Sequence, residues 1–169
     1  MKVTVMSRLE AISHSTKSNI NKCVIVSINS LNSNKTWFHD NEQILDIYPL
    51  FFNDIERDYE DSLAPVEKDF IGLKDFIDTY KDMVDEIIVH CAAGISRSSA
   101  VAAAICKYLN LNELETIWKQ HCYIPNALVY KLAKKELGLE WNEEEFTLFL
   151  ATNKAERDKI DIPINIIIK

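Results

Sequence analysis

The segment Cys23 to Ile28 reads CVIVSI, a run with little alternation between apolar and polar residues. A strand with one wet face alternates, whereas a strand buried on both faces does not. Burial on both faces needs helices on each side of a sheet, which favours parallel strands joined by helical crossovers. Glu86 to His90 (EIIVH) reads as another strand, and Val3–Met6 and Ile44–Phe52 add two more β-branched or aromatic stretches.

Helical signals fall between and after these runs. Ser7 and Glu10 have the S-x-x-E spacing of a capping box. Pro65 suits a first helical turn, and Phe70, Leu73, Ile77 and Tyr80 recur every three or four residues. One amphipathic helix is therefore expected over Pro65–Lys81. Ala100 to Leu109 is rich in helix formers and ends at Asn110. Asn112 with Glu115 and Asn142 with Glu145 read as further caps, and a helix over Asn126–Leu137 should stop at Gly138. Asn29–Thr36 and the acidic stretch Asn53–Ala64 read as loops. The expectation is an α/β fold in one domain, residues 1–169. A central, mostly parallel sheet of four or five strands is flanked by helices. C-terminal helices fill about 112–158, and residues 160–168 form an edge strand or a tail.

The chemistry is concentrated where the strand Ile87–His90 ends. His90 to Ser98 reads HCAAGISRS: a cysteine at the strand end, five uncharged residues, an arginine, then the start of a helix. In an α/β sheet, ligands bind at the carboxyl ends of strands. A loop there that enters a helix aims backbone N–H groups and the helix's positive end at one spot. Gly94 permits a tight turn, and Ala92, Ala93, Gly94, Ile95 and Ser96 together make a nest for an anion. Such a field lowers the pKa of a thiol, making Cys91 a nucleophile. Arg97 offers a planar fork for two phosphate oxygens. Ser98 places a hydroxyl near the sulfur, where it eases departure of the thiolate, and His90 orients the loop through hydrogen bonds.

HCAAGISRS matches the H-C-x5-R-[ST] signature and resembles the cysteine-dependent protein tyrosine phosphatases, most of all the dual-specificity branch and its short bacterial relatives. The likeness runs from about Cys23 to about Leu137. It implies a phosphatase-like fold, attack on phosphorus by Cys91, and a transition state held by Arg97. It also implies a general acid from an aspartate upstream. Asp54, Asp58 and Asp61 are the candidates, and Asp54 is favoured because it directly follows the strand ending LFFN. Asn126, in a Pro–Asn pair like that of some bacterial relatives, is expected either to support the loop or only to cap its helix. Cys122 could pair with Cys91 in a regulatory disulfide. The implied function is hydrolysis of phosphotyrosine, and of phosphoserine or phosphothreonine, on a phosphorylated protein substrate through a cysteinyl-phosphate intermediate. The alternatives are a non-catalytic phosphate-binding module, and an enzyme using the same loop for sulfur transfer or arsenate reduction.

Composition narrows the substrate. Nineteen lysines and arginines against 26 acidic residues give a net charge of −7, so no nucleic-acid partner is expected. The loop lacks the lysines that lipid phosphatases of the superfamily use for inositol phosphates. No apolar run reaches membrane-spanning length, so no membrane partner is expected. The four cysteines lack zinc-site spacing and do not suggest a secreted disulfide scaffold, so no metal or other cofactor and a reducing cytoplasm are expected. His14, His39 and His121 carry no pattern.

Overall fold

The computed structural model describes residues 1–60 and 62–159. The expected edge strand or tail at 160–168, and Asp61, lie outside the described residues. Strands β1 (Lys2–Ser7), β2 (Cys23–Asn29), β3 (Ile44–Phe51) and β4 (Glu86–Cys91) form one sheet in the order β1-β4-β2-β3. Every pairing is parallel. All residues of β2 and β4 are buried, as their non-alternating sequence requires. The parallel register brings the strand ends Ser7, Cys91, Asn29 and Phe51 to one edge, with Cys91 beside Ser7 and His90 beside Ser27.

Alternate side chains of the inner strands enter different cores. Val24, Val26, Ile87 and Val89 pack with α3 (Arg97–Tyr108) and the C-terminal helices. Cys23, Ile25 and Ile88 face Ala11 of α1 (Arg8–Ser15) and Phe38. The capping box at α1 forms as its spacing predicts: Ser7 Oγ accepts the Glu10 N–H, and the Glu10 carboxylate accepts the Ser7 N–H. In α3, the ten residues Arg97 to Cys106 are all buried. Its run of alanines lets the helix axis approach the sheet closely.

The single helix expected over Pro65–Lys81 is instead broken. A 3-10 turn covers Glu67–Phe70 and α2 covers Leu73–Tyr80, with Gly72 between them at φ +93°. Tertiary partners hold the break. Tyr48 donates its hydroxyl to the Ile71 carbonyl at 2.5 Å, and Glu136 accepts the Gly72 N–H at 2.9 Å. Helical periodicity persists across the interruption, so the sequence pattern conceals it.

Past Asn110, at φ +55°, a π-helical turn (Leu114–Trp118) leads to α4 (Ala127–Glu136) and α5 (Glu143–Asp158). Trp118 stacks on Phe149, with ring centroids 5.3 Å apart. The buried Asn153 side chain donates to the carbonyls of Trp118 and Tyr123, both at 3.1 Å. Thus α5 clasps the segment that precedes α4. Among the described residues no helix is long and apolar enough to cross a membrane.

Glu113 is buried beside this helical layer, and its closest polar partner is the Tyr130 hydroxyl at 3.3 Å. Burial, helped by Glu145 and opposed by Lys107 and Lys134, raises its carboxyl from the ordinary 4.5 to about 7. Between those values the folded chain holds a proton that the unfolded chain has lost, so this group makes stability fall as pH rises through the interval. Glu113→Gln, an uncharged mimic of the protonated acid, should raise the thermal midpoint at pH 8 and leave it nearly unchanged at pH 4.5. Thermal unfolding followed by circular dichroism at both pH values checks this.

Candidate active site

β4 ends at Cys91, and the next helix begins at Arg97, so residues 92–96 turn the chain at the sheet's carboxyl edge. Gly94 makes that turn at φ +74°. A Cβ there would stand 2.6 Å from the Ser7 nitrogen and 2.7 Å from the Met6 carbonyl carbon, so the loop lies directly on the β1–α1 junction. The Arg8 N–H donates to the Ala92 carbonyl at 3.3 Å, and the Ile124 N–H donates to the Ile95 carbonyl at 3.1 Å. A trans peptide points its N–H away from its C=O. These two outward bonds therefore turn the Ala93 and Ser96 N–H groups to the other side of the loop.

Cys91 is buried at the base of the turn. Its Sγ lies 3.1 Å from Ser98 Oγ and accepts the Gly94 N–H at 3.3 Å. Burial alone would push this thiol up. The Ser98 hydroxyl and N–H, the Gly94 N–H and the Arg97 charge outweigh that effect and bring it below its ordinary value. The other buried cysteines go the opposite way. Burial, with Glu86 adding, pushes Cys23 up to about 11, and burial, with Glu113 adding, pushes Cys106 up to about 12.

Arg97 is almost wholly buried. Its Nη1 donates to the Phe52 carbonyl at 3.0 Å and to Ser30 Oγ at 3.2 Å, which anchors the guanidinium to the ends of β2 and β3. Its Nε has no hydrogen-bond partner among the described residues, and Asp54 Oδ2 is 3.8 Å from it. Ser30 and the Phe52 carbonyl are absent from the sequence reading. A lone serine in a polar loop carries no signal, and a backbone carbonyl carries none at all.

The two candidate aspartates among the described residues, Asp54 and Asp58, separate by their contacts. Asp54 Oδ1 accepts Ser96 Oγ at 2.8 Å and Asn126 Nδ2 at 3.0 Å, which places it against the loop. Asp58 accepts the Ala64 N–H at 2.8 Å and closes its own loop. Asn126 Oδ1 caps α4 through the Val129 N–H at 3.0 Å, and its Nδ2 donates to Asp54 Oδ1 at 3.0 Å. Glu56, which no sequence pattern singled out, accepts the Ala127 N–H at 2.9 Å and ties the Asp54 loop to the same helix end. His90 is fully buried, with Nδ1 3.4 Å from the Cys91 carbonyl and Nε2 2.8 Å from Ser27 Oγ. Burial, together with the charges of Arg8 and Arg97, lowers its pKa to about 4 against the opposing bond to Cys91. All four cysteines are free thiols, and Cys122 is exposed.

The dual specificity phosphatase catalytic-domain family matches residues 9–119. The crystal structure of a human tyrosine phosphatase-like serine/threonine/tyrosine-interacting protein has the same fold. It superposes with a TM-score of 0.51 at 19% sequence identity, over 86% of this chain and 93% of that one. No curated protein matches the sequence.

The opposite displacements of the three buried thiols are open to direct test. With Cys122 replaced by serine, iodoacetamide at pH 7 should label Cys91 well ahead of Cys23 and Cys106, and inorganic phosphate should slow that labelling. Mass mapping of the modified peptides reads the order; labelling spread evenly over the three cysteines would contradict a thiolate at Cys91.

Proposed function

The chain belongs to the dual specificity phosphatase family, and on that footing we propose that it hydrolyses phosphotyrosine, and phosphoserine or phosphothreonine, on proteins through a cysteinyl-phosphate intermediate. The observation that carries this reading is the pairing of Cys91 Sγ with the Ser98 hydroxyl and the Gly94 N–H, next to an arginine whose Nε has no hydrogen-bond partner among the described residues. In the first step the Cys91 thiolate attacks phosphorus and the ester oxygen leaves with the bonding pair. Arg97 and the loop N–H groups hold the non-bridging oxygens, where charge gathers in the transition state. Asp54 gives its proton to the leaving oxygen. In the second step water attacks the phosphocysteine, Asp54 takes the water proton, and the thiolate departs as Ser98 donates to it.

Ser96 and Asn126 hold Asp54 in this arrangement, and His90 and Asn126 act as supporting residues. The uncharged loop interior supports a phosphoprotein substrate over an inositol phosphate. One observation favours a second reading, a phosphate-binding module without turnover. Asp54 Oδ1 is already engaged by two donors and could serve only to brace the loop.

Hydrolysis of p-nitrophenyl phosphate distinguishes the two. Cys91→Ser should abolish turnover, and Asp54→Asn should lower kcat by about 10²- to 10⁴-fold, the usual worth of general acid–base catalysis. A wild type that binds phosphotyrosine peptide without releasing phosphate would support the module instead. Asn126 offers a finer check. Asn126→Ser keeps a capping oxygen for Val129 but removes the donor to Asp54. It should lower kcat with little loss of stability, whereas Asn126→Ala should also cost about 1 kcal/mol of stability. Steady-state kinetics and urea unfolding of both variants make the comparison.

A further inference from the structure

The face of the sheet that carries α1 buries Glu86 at its amino edge, apolar side chains in its middle and a polar group at its carboxyl edge. There four polar side chains are buried together: Ser27 and Asn29 of β2, His90 of β4, and Thr36 of the following loop. Ser27, Asn29 and His90 are fully buried and Thr36 nearly so, and the mechanism above uses only His90. Their hydrogen bonds have a definite direction.

The Thr36 backbone N–H can only donate, and it does so to Asn29 Oδ1 at 3.1 Å; the Thr36 hydroxyl donates to the same atom at 2.8 Å. Two donors on that oxygen settle the orientation of the Asn29 amide. Its Nδ2 then carries one proton to the Ser27 carbonyl at 3.0 Å and the other toward Ser27 Oγ at 3.4 Å, with the Leu50 carbonyl beyond it at 3.5 Å. Ser27 Oγ is thereby an acceptor on that side. Its own proton goes to the remaining neighbour, His90 Nε2, at 2.8 Å. A ring that accepts at Nε2 and is neutral carries its proton on Nδ1. That atom faces the Cys91 carbonyl, 3.4 Å away. The opposite tautomer would set a lone pair of Nδ1 against a lone pair of that carbonyl.

We propose that Ser27 is a positioning residue for the chemistry at Cys91: the one-way chain Thr36–Asn29–Ser27 fixes His90 as its Nδ1–H tautomer, and that tautomer holds the Cys91 carbonyl. The consequence lies in the peptide joining Cys91 to Ala92. A donor on its carbonyl fixes the peptide plane at the first turn of the loop and polarises its N–H, because bonded amides strengthen one another. That N–H belongs to Ala92, the first residue of the anion nest. Phe38 seals the arrangement, its ring edge-on to His90 with centroids 5.4 Å apart. The charged and titratable groups acting on His90 are Arg8 from α1 and Arg97 from α3, besides Cys91 on its own strand. Burial, with both cationic arginines adding, keeps the imidazole neutral, so the tautomer, not the charge, is what Ser27 decides.

The inference rests on Cys91 being the nucleophile, but its test needs no turnover. Nitrogen-15 chemical shifts of His90 in the wild type should report a protonated Nδ1 and an unprotonated Nε2 at pH 7. In Ser27→Ala the two nitrogens should move toward each other as both tautomers become populated. The pH midpoint of Cys91 alkylation, measured with Cys122 replaced by serine, should rise by about half to one pH unit, the scale of one lost hydrogen bond. Ser27→Thr, which keeps the hydroxyl and suits a strand, should restore both. Ser15→Ala, a buried serine on α1 away from the loop, should move neither. Protonation at Nε2 in the wild type would overturn the proposal, and so would a Ser27→Ala variant with unchanged shifts and midpoint. If the tautomer and midpoint behave as stated while phosphate esters are not hydrolysed, the positioning role stands and the phosphatase reading fails.

Discussion

A thiol brought below its ordinary pKa at a buried position is the constraint on which the site depends. Moving a thiolate out of water is unfavourable, and Cys23 and Cys106 show the result, both pushed far up by burial. Cys91 is as buried as they are, yet its thiol lies below its ordinary value. The difference comes from donors that only this position collects: the Ser98 hydroxyl and N–H, the Gly94 N–H, and the Arg97 charge. These donors exist because a strand ends where a helix begins. The parallel sheet provides that junction, and the close seating of Gly94 on the β1–α1 junction gives it its shape.

The parts visible in the sequence are those governed by local rules. The non-alternating runs at β2 and β4, the Ser7–Glu10 capping box, the stop at Asn110 and the caps at Asn126 and Asn142 each follow from a few neighbouring residues. The strand–loop–helix setting of HCAAGISRS is of the same kind, and so Cys91, Arg97 and Ser98 could be placed together. Asp54 follows a strand, which is a topological signal, and its Oδ1 accepts the Ser96 hydroxyl of the loop. The break in the helix expected over Pro65–Lys81 is hidden because Tyr48 and Glu136, distant in sequence, stabilise it. Ser27 is hidden for a related reason: one hydroxyl in an apolar strand reads as a tolerated polar residue until its partner on β4 is known.

The C-terminal helices connect to the site through a chain of hydrogen bonds. The family match ends at residue 119, before α4 and α5. Even so, Asn153 of α5 fastens the carbonyls of Trp118 and Tyr123, the next residue Ile124 donates to Ile95 in the loop, and Asn126 reaches Asp54. The segment 118–126 is thus held on one side by an aromatic cluster and presents its other side to the loop. Substitutions in the α5 seam should therefore reach the site through the placement of Ile124 and Asn126, with no contact of their own.

On the proposed function, Arg97 is the residue through which a chain of net charge −7 would hold an anion. An arginine buried against carboxylates would have its charge cancelled and its donors occupied. Here its anchors are neutral, a serine hydroxyl and a backbone carbonyl, and both take the same nitrogen. The nearest carboxylate, Asp54, stands 3.8 Å from Nε and directs Oδ1 at Ser96 and Asn126 instead. Neutral groups therefore hold the fork in place, and on the proposed function its charge, with Asp54 3.8 Å from Nε, would meet a phosphate. A lysine at this position would keep the charge but lose the planar fork that lets one nitrogen be tethered while the others face the ligand.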